Sequence, residues 1–245
     1  MSCLQSTRRS FMMACAGLLV AGSSSRARTL SGGLPWEAGA ATPPRPVRPG
    51  PWLFFTSDEA ALVEAVIDRL IPADESSAGA KDAGCAVYID RQLAGPYGGG
   101  AGLYAQGPFM PGFAGQGYQN PDTPAVRFRS GLKALQAAVG DGSAGKKFQD
   151  LSPAGQDTFL MSLENGSTKL DGANGAGFFA LVLQMTQEGF FADPIYGGNR
   201  DMVGWKLIGF PGARYDYRDW VERHNEKYPL PPIGIMGGTR WTSKD

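Results

Sequence analysis

Apolar side chains recur at helical spacing along five stretches of the chain, and each stretch is bounded by residues that start or stop a helix. The first opens on Thr56-Ser57-Asp58-Glu59, a capping box in which Thr56 accepts from the Glu59 N–H while the Glu59 carboxylate reaches back. Leu62, Val63, Val66, Ile67, Leu70 and Ile71 then repeat on one face until Pro72 ends the run. A second helix is expected from Asp82 to Leu93, carried by Val87, Ile89 and Leu93, and a third from Pro124 to Val139, carried by Val126, Leu132, Leu135 and Val139 and closed by Gly140-Asp141-Gly142. Ser152 as N-cap and Pro153 at the first helical position open a fourth, with Phe159, Leu160 and Leu163 on its face and Asn165-Gly166 at its end. The fifth, Gly177 to Phe190, is apolar round most of its circumference, so it either runs through the centre of the fold or lies under a partner. A short helix is expected at Met202 to Leu207. Nowhere does a sustained two-residue alternation of β-branched side chains suggest a sheet.

Between these helices the chain is irregular. Residues 95–124 are dense in Gly, Pro and aromatics (Tyr97, Tyr104, Phe109, Phe113, Tyr118) and cannot form a regular helix. A loop of that length in a compact domain is either functional or disordered, and its aromatics need apolar cover, which argues for function. The 35 glycines are roughly twice the average share for a chain of this length. The expected fold is therefore mainly α: a small helical domain with long Gly/Pro/aromatic-rich loops and an extended N-terminal arm. Its boundaries are 1–28 for an export signal, 29–52 for a Pro/Gly-rich linker or arm, and 53–245 for the helical domain.

The export signal is read from Thr7-Arg8-Arg9-Ser10-Phe11-Met12-Met13, where Arg8 and Arg9 stand just ahead of Phe11 and an apolar run. That order is the twin-arginine pattern, addressed to the twin-arginine translocase. The apolar run ends near Ala21, too short to cross about 30 Å of hydrocarbon as a helix but of signal-core length. Nothing later in the sequence is apolar enough to span a bilayer, so the mature chain is expected to be soluble by itself. Lys+Arg and Asp+Glu both number 23, with no basic run, so no nucleic-acid partner is indicated.

The inventory of reactive residues is sparse. Cys3 and Cys15 lie in the signal, leaving Cys85 without an intramolecular disulfide partner, and there is neither a Cys-x-x-Cys-His haem site nor a set of cysteines for an iron–sulfur cluster. Cys85 reads as a small buried hydrophobe and His224, among charged neighbours, as a solvated surface residue. Gly175-Ala176-Gly177-Phe178-Phe179-Ala180 matches a dinucleotide-binding pattern, but that motif requires a buried strand before it, and residues 168–174 are polar. Asp58-Glu59 and Asp74-Glu75 fit helix N-terminal charge and loop solvation better than acid/base work.

One segment stands apart. From Glu188 to Ala213 large aromatics alternate with glycines around a few polar residues, and Asp193-Pro194 and Gly197-Gly198-Asn199 impose turns that an Arg200–Asp201 pair would hold. It reads as a rigid surface presenting Phe190, Phe191, Tyr196, Trp205 and Phe210. Such a surface fits an interface hot spot or a ligand pocket equally well. In the second case Asp193, Tyr196, Asn199, Arg200 and Asp201 would form the pocket of an independent exported enzyme.

Residues 189–213, with Phe54-Phe55-Thr56-Ser57-Asp58-Glu59 and Leu70-Ile71-Pro72-Ala73-Asp74, resemble the gluconate 2-dehydrogenase small-subunit family, also called subunit 3 or gamma. The run Asp193 to Asp201 is the most specific part, and the resemblance covers essentially all of the chain after the linker. It implies a subunit that holds no redox centre and has no active site of its own. Its companions would be a large FAD-containing dehydrogenase subunit and a multihaem cytochrome c subunit carrying haem c, which anchors the complex on the periplasmic side of the bacterial inner membrane. It also accounts for a twin-arginine signal on a chain without a recognisable cofactor site: the chain would carry a signal-less flavoprotein through the export route. The partner interface would then comprise Phe190, Phe191, Asp193, Tyr196, Asn199, Arg200, Asp201, Trp205 and Phe210. The same resemblance admits a related complex acting on glucose, fructose, sorbitol or 2-ketogluconate.

Overall fold

A computed structural model describes residues 45–103, 106–110, 112–142, 145–214 and 216–236, all within one compact unit, Ala38–Asp245. Arg8, Arg9, Phe11 and the rest of the export signal, most of the expected arm, and Tyr104 lie outside the described residues. The described residues hold six α-helices: α1 (Ser57–Leu70), α2 (Cys85–Ala94), α3 (Pro124–Gly142), α4 (Pro153–Glu164), α5 (Gly175–Phe191) and α6 (Val203–Ile208). Among the described residues β-pairing is confined to two isolated bridges, Leu170 with Ala173 and Gly212 with Ile233. The mainly α reading of the sequence therefore holds.

The helix signals act where the sequence places them. The Thr56 N–H donates to Glu59 Oε2 at 2.8 Å and the Glu59 N–H to Thr56 Oγ1 at 3.2 Å, completing the capping box of α1. Ser152 Oγ accepts from the Gly155 N–H at 3.2 Å at the head of α4, with Pro153 in the first turn. Two boundaries differ from expectation. Helix α2 begins at Cys85 rather than Asp82, because Gly84 takes a left-handed conformation (φ 79°) and residues 80–84 form a turn. Helix α3 continues through Gly140 to Gly142, where a backbone bond from the Gly145 N–H to the Gly140 carbonyl (2.8 Å) closes it. Glycine lowers helical stability but does not forbid a helix when tertiary packing holds it.

Helix α5 packs against α1, α2, α3, α4 and α6. Its all-round apolar surface is thus explained by a central position within the chain. Met185 and Phe190 are fully buried in it, and Phe178 packs where α3 offers Gly131: a Cβ on Gly131 would lie 2.1 Å from the Phe178 ring. Phe178 continues an aromatic chain through Phe128 to Phe55, with ring centroids 5.7 Å apart at each step.

Phe55 reaches that chain because its backbone is fastened by a residue on α2. Asp90, wholly buried, accepts from three successive N–H groups, those of Leu53 (2.9 Å), Phe54 (2.9 Å) and Phe55 (3.0 Å), and pairs with the Arg91 guanidinium. Arg91 also donates to the Pro51 carbonyl at 3.1 Å. The ring of Phe54 lies under the guanidinium of Arg129, 4.0 Å from its centroid, and Arg129 also binds the Phe54 carbonyl and Glu59. A second tie, Arg69 to Asp157 through two parallel bonds of 2.7 and 2.8 Å, joins α1 to α4. That hydrogen-bonded pairing pushes the Arg69 pKa up and the Asp157 pKa down.

Two outcomes follow. Asp90→Ala strands three buried or half-buried N–H groups and one guanidinium, and should lower unfolding stability by about 3–5 kcal/mol. Asp90→Asn, which keeps one acceptor oxygen, should cost less, and urea titrations of both variants check the order. Cys85 is buried, and burial pushes its thiol up to about 12. At pH 8 only about one thiol in ten thousand is then ionised, so iodoacetamide should leave the Cys85 peptide unmodified by mass spectrometry until denaturant is added.

Candidate functional site

The segment that the sequence singles out, residues 189–212, leaves the end of α5 and folds back on it. Three of its glycines, Gly198, Gly204 and Gly212, stand where backbone meets backbone. A Cβ on Gly198 would lie 2.2 Å from the Gly189 carbonyl oxygen, and one on Gly204 would lie 2.1 Å from that of Phe190. Gly189 in turn lies against the Tyr88 ring, so the spacing of glycines marks two lines of chain laid directly on α5.

The polar residues of the segment act as fasteners. Asn199 is wholly buried in a left-handed conformation (φ 47°); its Nδ2 donates to the Ala192 carbonyl at 2.8 Å, and its Oδ1 accepts from the Gly204 N–H at 2.9 Å. Asp193 accepts from the Ile195 N–H at 3.0 Å and, with its other oxygen, from the Ile235 N–H at 2.6 Å, which brings the C-terminal residues onto the segment. The Gly212–Ile233 bridge and a bond from Tyr217 Oη to the Gly212 carbonyl (2.7 Å) continue that attachment. On another side the Val47 N–H donates to the Ile195 carbonyl at 2.8 Å, and the Arg200 N–H donates to the Ala83 carbonyl at 2.9 Å. Asn199, Asp201 and Met202 all have positive φ, an unfavourable conformation for residues with a Cβ that the surrounding bonds enforce. The expected Arg200–Asp201 pair does not form: the Arg200 guanidinium lies against Gly84 and donates to the Asp82 carbonyl at 3.4 Å.

The aromatics divide into two sets. Phe190 and Trp205 are core residues, exposed by only 1% and 5%, and Trp205 Nε1 donates to the Phe191 carbonyl at 2.7 Å. With Asn199 they correct the expectation of a surface presenting all five rings, because a side chain already covered by its own chain has no face left to offer. Phe191, Tyr196 and Phe210 are exposed, as are Arg200 and Asp201, and Asp193 is half-buried. The ring of Phe210 stands edge-on to Trp205 with centroids 5.1 Å apart, and Phe191 stands edge-on to Phe190 at 5.2 Å. Leu207 and Ile208, 48% and 60% exposed at the end of α6, lie between Trp205 and Phe210 in the chain. Sequence reasoning missed both, although a six-residue helix ending in two adjacent apolar residues can bury only part of them. The outcome is four exposed apolar residues, Phe191, Leu207, Ile208 and Phe210, of which Phe191 and Phe210 stand against the buried rings of Phe190 and Trp205.

The other chemical candidates take modest places. The dinucleotide-like glycines open α5, where Asn174 Oδ1 caps the Gly177 N–H at 3.0 Å; the turn before them is closed by the Leu170–Ala173 bridge, with no strand. His224 is exposed. Asp74 receives the N–H groups of Ser76 and Ser77, which hold its pKa below the usual carboxylate range. Among the described residues no group of three or more His, Cys, Asp or Glu is placed to hold a metal ion, and no helix is long and apolar enough to cross a membrane.

A model of the family described as gluconate 2-dehydrogenase subunit 3 matches residues 57–212, from the first residue of α1 to the glycine that pairs with Ile233. The chain belongs to this family. The family name is that of one subunit of an oxidoreductase and implies a complex of several subunits. No curated protein and no solved structure matches the chain.

The close backbone contacts of residues 189–212 set a test. Gly198→Ala and Gly204→Ala each force a methyl onto a carbonyl oxygen, and should destabilise by about 3 kcal/mol, the upper end of the usual overpacking range. Gly209→Ala, in open space with φ 69°, meets only the left-handed penalty of about 1–2 kcal/mol. Chemical denaturation of the three variants checks the ranking.

Proposed function

We propose that this chain is the non-catalytic small subunit of an FAD-dependent gluconate 2-dehydrogenase complex on the periplasmic side of the bacterial inner membrane. It stabilises the large flavin subunit and carries it through the twin-arginine export route. The observation that carries this reading is the family match over residues 57–212 together with the exposed apolar residues Phe191, Leu207, Ile208 and Phe210 within the matched region. Apolar and aromatic side chains seated on a rigid, well-packed base lose little freedom when a partner covers them, which is the character of an interface hot spot. Tyr196, Arg200 and Asp201 lie in the same exposed loop and serve as its polar rim.

In this reading, the removal of a hydride equivalent from a sugar-acid hydroxyl belongs to the FAD of the large subunit, and electrons pass on to the haem c of the cytochrome subunit. This chain contributes shape, stability and the Arg8-Arg9-Phe11 signal. The aromatic loop of residues 95–124 extends the docking surface, with Met110 and Phe113 strongly exposed.

Two experiments decide the matter. Ile208→Glu, at a 60% exposed position, should leave the melting temperature of the isolated chain nearly unchanged while weakening its complex with the co-expressed flavin subunit at least about tenfold, or about 1.4 kcal/mol; unaltered binding would refute the docking assignment. Replacing Arg8-Arg9 with Lys-Lys should hold both chains in the cytoplasm on cell fractionation. A flavin subunit that still reaches the periplasm would end the carrier role, and turnover by the purified chain alone would favour an independent enzyme.

A further inference from the structure

A groove of about 530 Å³ runs between the N-terminal part of α1, the face of α3 and the short 3-10 turn Phe148–Asp150. None of its lining residues belongs to the 189–212 segment. Leu62, Leu132 and Ala137 provide its apolar lining. Its edges are charged, and most of that charge is already engaged: Arg129 pairs with Glu59 at 3.1 Å and Lys147 with Asp58 at 3.2 Å. Lys133, exposed on α3 within the same groove, has no carboxylate partner among the described residues, so the groove carries one unspent positive charge. Gln149, also in the lining, has a buried side-chain oxygen without a hydrogen-bond partner. Such an orphaned acceptor is costly to leave unmade, and the terminal torsion of glutamine is broad, so a donor arriving in the groove can claim it.

We propose that this groove receives a short peptide segment of the companion subunit, one that sets an aliphatic side chain on Leu62, Leu132 and Ala137, an acidic side chain on Lys133 and an N–H donor on Gln149. The inference rests on the subunit reading and adds a second, separate contact to it. A peptide satisfies all three features at once. The acyl chains of an acidic lipid need far more apolar surface than Leu62, Leu132 and Ala137 provide, and a purely apolar ligand would lie against two ion pairs and an unmatched ammonium group.

The test uses the complex formed with the flavin subunit and acetylation by an N-hydroxysuccinimide ester as the probe, read peptide by peptide. Lys133 should react at least about tenfold more slowly in the complex than in the isolated chain, while Lys169, exposed and away from the groove, reacts equally in both. Ala137→Glu, at an exposed position of α3, fills the groove with a good helix former. It should preserve the melting temperature and weaken the complex about tenfold; Lys133→Glu should do the same. A complex that forms normally with Lys133 labelled at the free rate overturns the groove while leaving the subunit reading intact. Failure of the wild-type chains to associate sinks both. Protection without sensitivity to Ala137→Glu moves the contact off the groove, and protection in the isolated chain at high concentration assigns it to a second copy; either result overturns the proposal.

Discussion

The buried carboxylate of Asp90 sets the arrangement on which the fold rests. By gathering three consecutive N–H groups it turns residues 53–55 into a fixed bend, and the bend has two products. It delivers Phe55 to the ring of Phe128 and through it to Phe178, linking the approach to α1 with α3 and the central α5. It also sets Thr56 where the capping box begins, so the direction of α1 is decided before its first turn. A charge in the interior is tolerable only when its oxygens are satisfied, and here Arg91 and the bent backbone do so together.

The segment 189–212 acts in a related way at the other end of α5. Its polar residues seem at first chemical, yet in the structure they hold the backbone: Asn199 ties Ala192 to Gly204, and Asp193 ties Ile195 to Ile235. Their work gives the exposed apolar residues around them a stiff foundation. Phe191 and Phe210 are each steadied edge-on by a buried ring. A surface of this kind is already organised before anything meets it, so little ordering entropy is lost on contact.

Much of the helical plan was legible because it depends on local rules. The capping box at Thr56, the Ser152-Pro153 start and the all-round apolar character of α5 are statements about neighbours within a few residues, and the structure follows them. What escaped was of longer range. Asp90 gave no sign of itself, since one acidic residue in a helix normally means a solvated face, and its three backbone partners lie more than thirty residues earlier in the chain. Phe190 and Trp205 were misplaced for a similar reason: glycine-aromatic alternation signals close packing, but it does not say on which side of the chain the rings fall. The rule for Gly140 failed because glycine lowers helical stability without forbidding a helix, and the Gly145 N–H satisfies the Gly140 carbonyl just past the helix end. The groove under Lys133 draws on α1, α3 and the turn at Phe148, and no single window of sequence contains it.

The matched region and the folding unit do not end at the same residue. The family match ends at Gly212, but the second oxygen of Asp193 accepts from the N–H of Ile235, and Gly212 itself is paired with Ile233. Between them Tyr217, Trp220 and Tyr228 pack into a small aromatic knot, with Arg214 and Arg223 over its rings. The C-terminal stretch thus completes, from beyond the matched region, the bonds of a carboxylate inside it. A border drawn where the match ends would cut through a hydrogen bond and take the last stone from a buttress of the 189–212 segment.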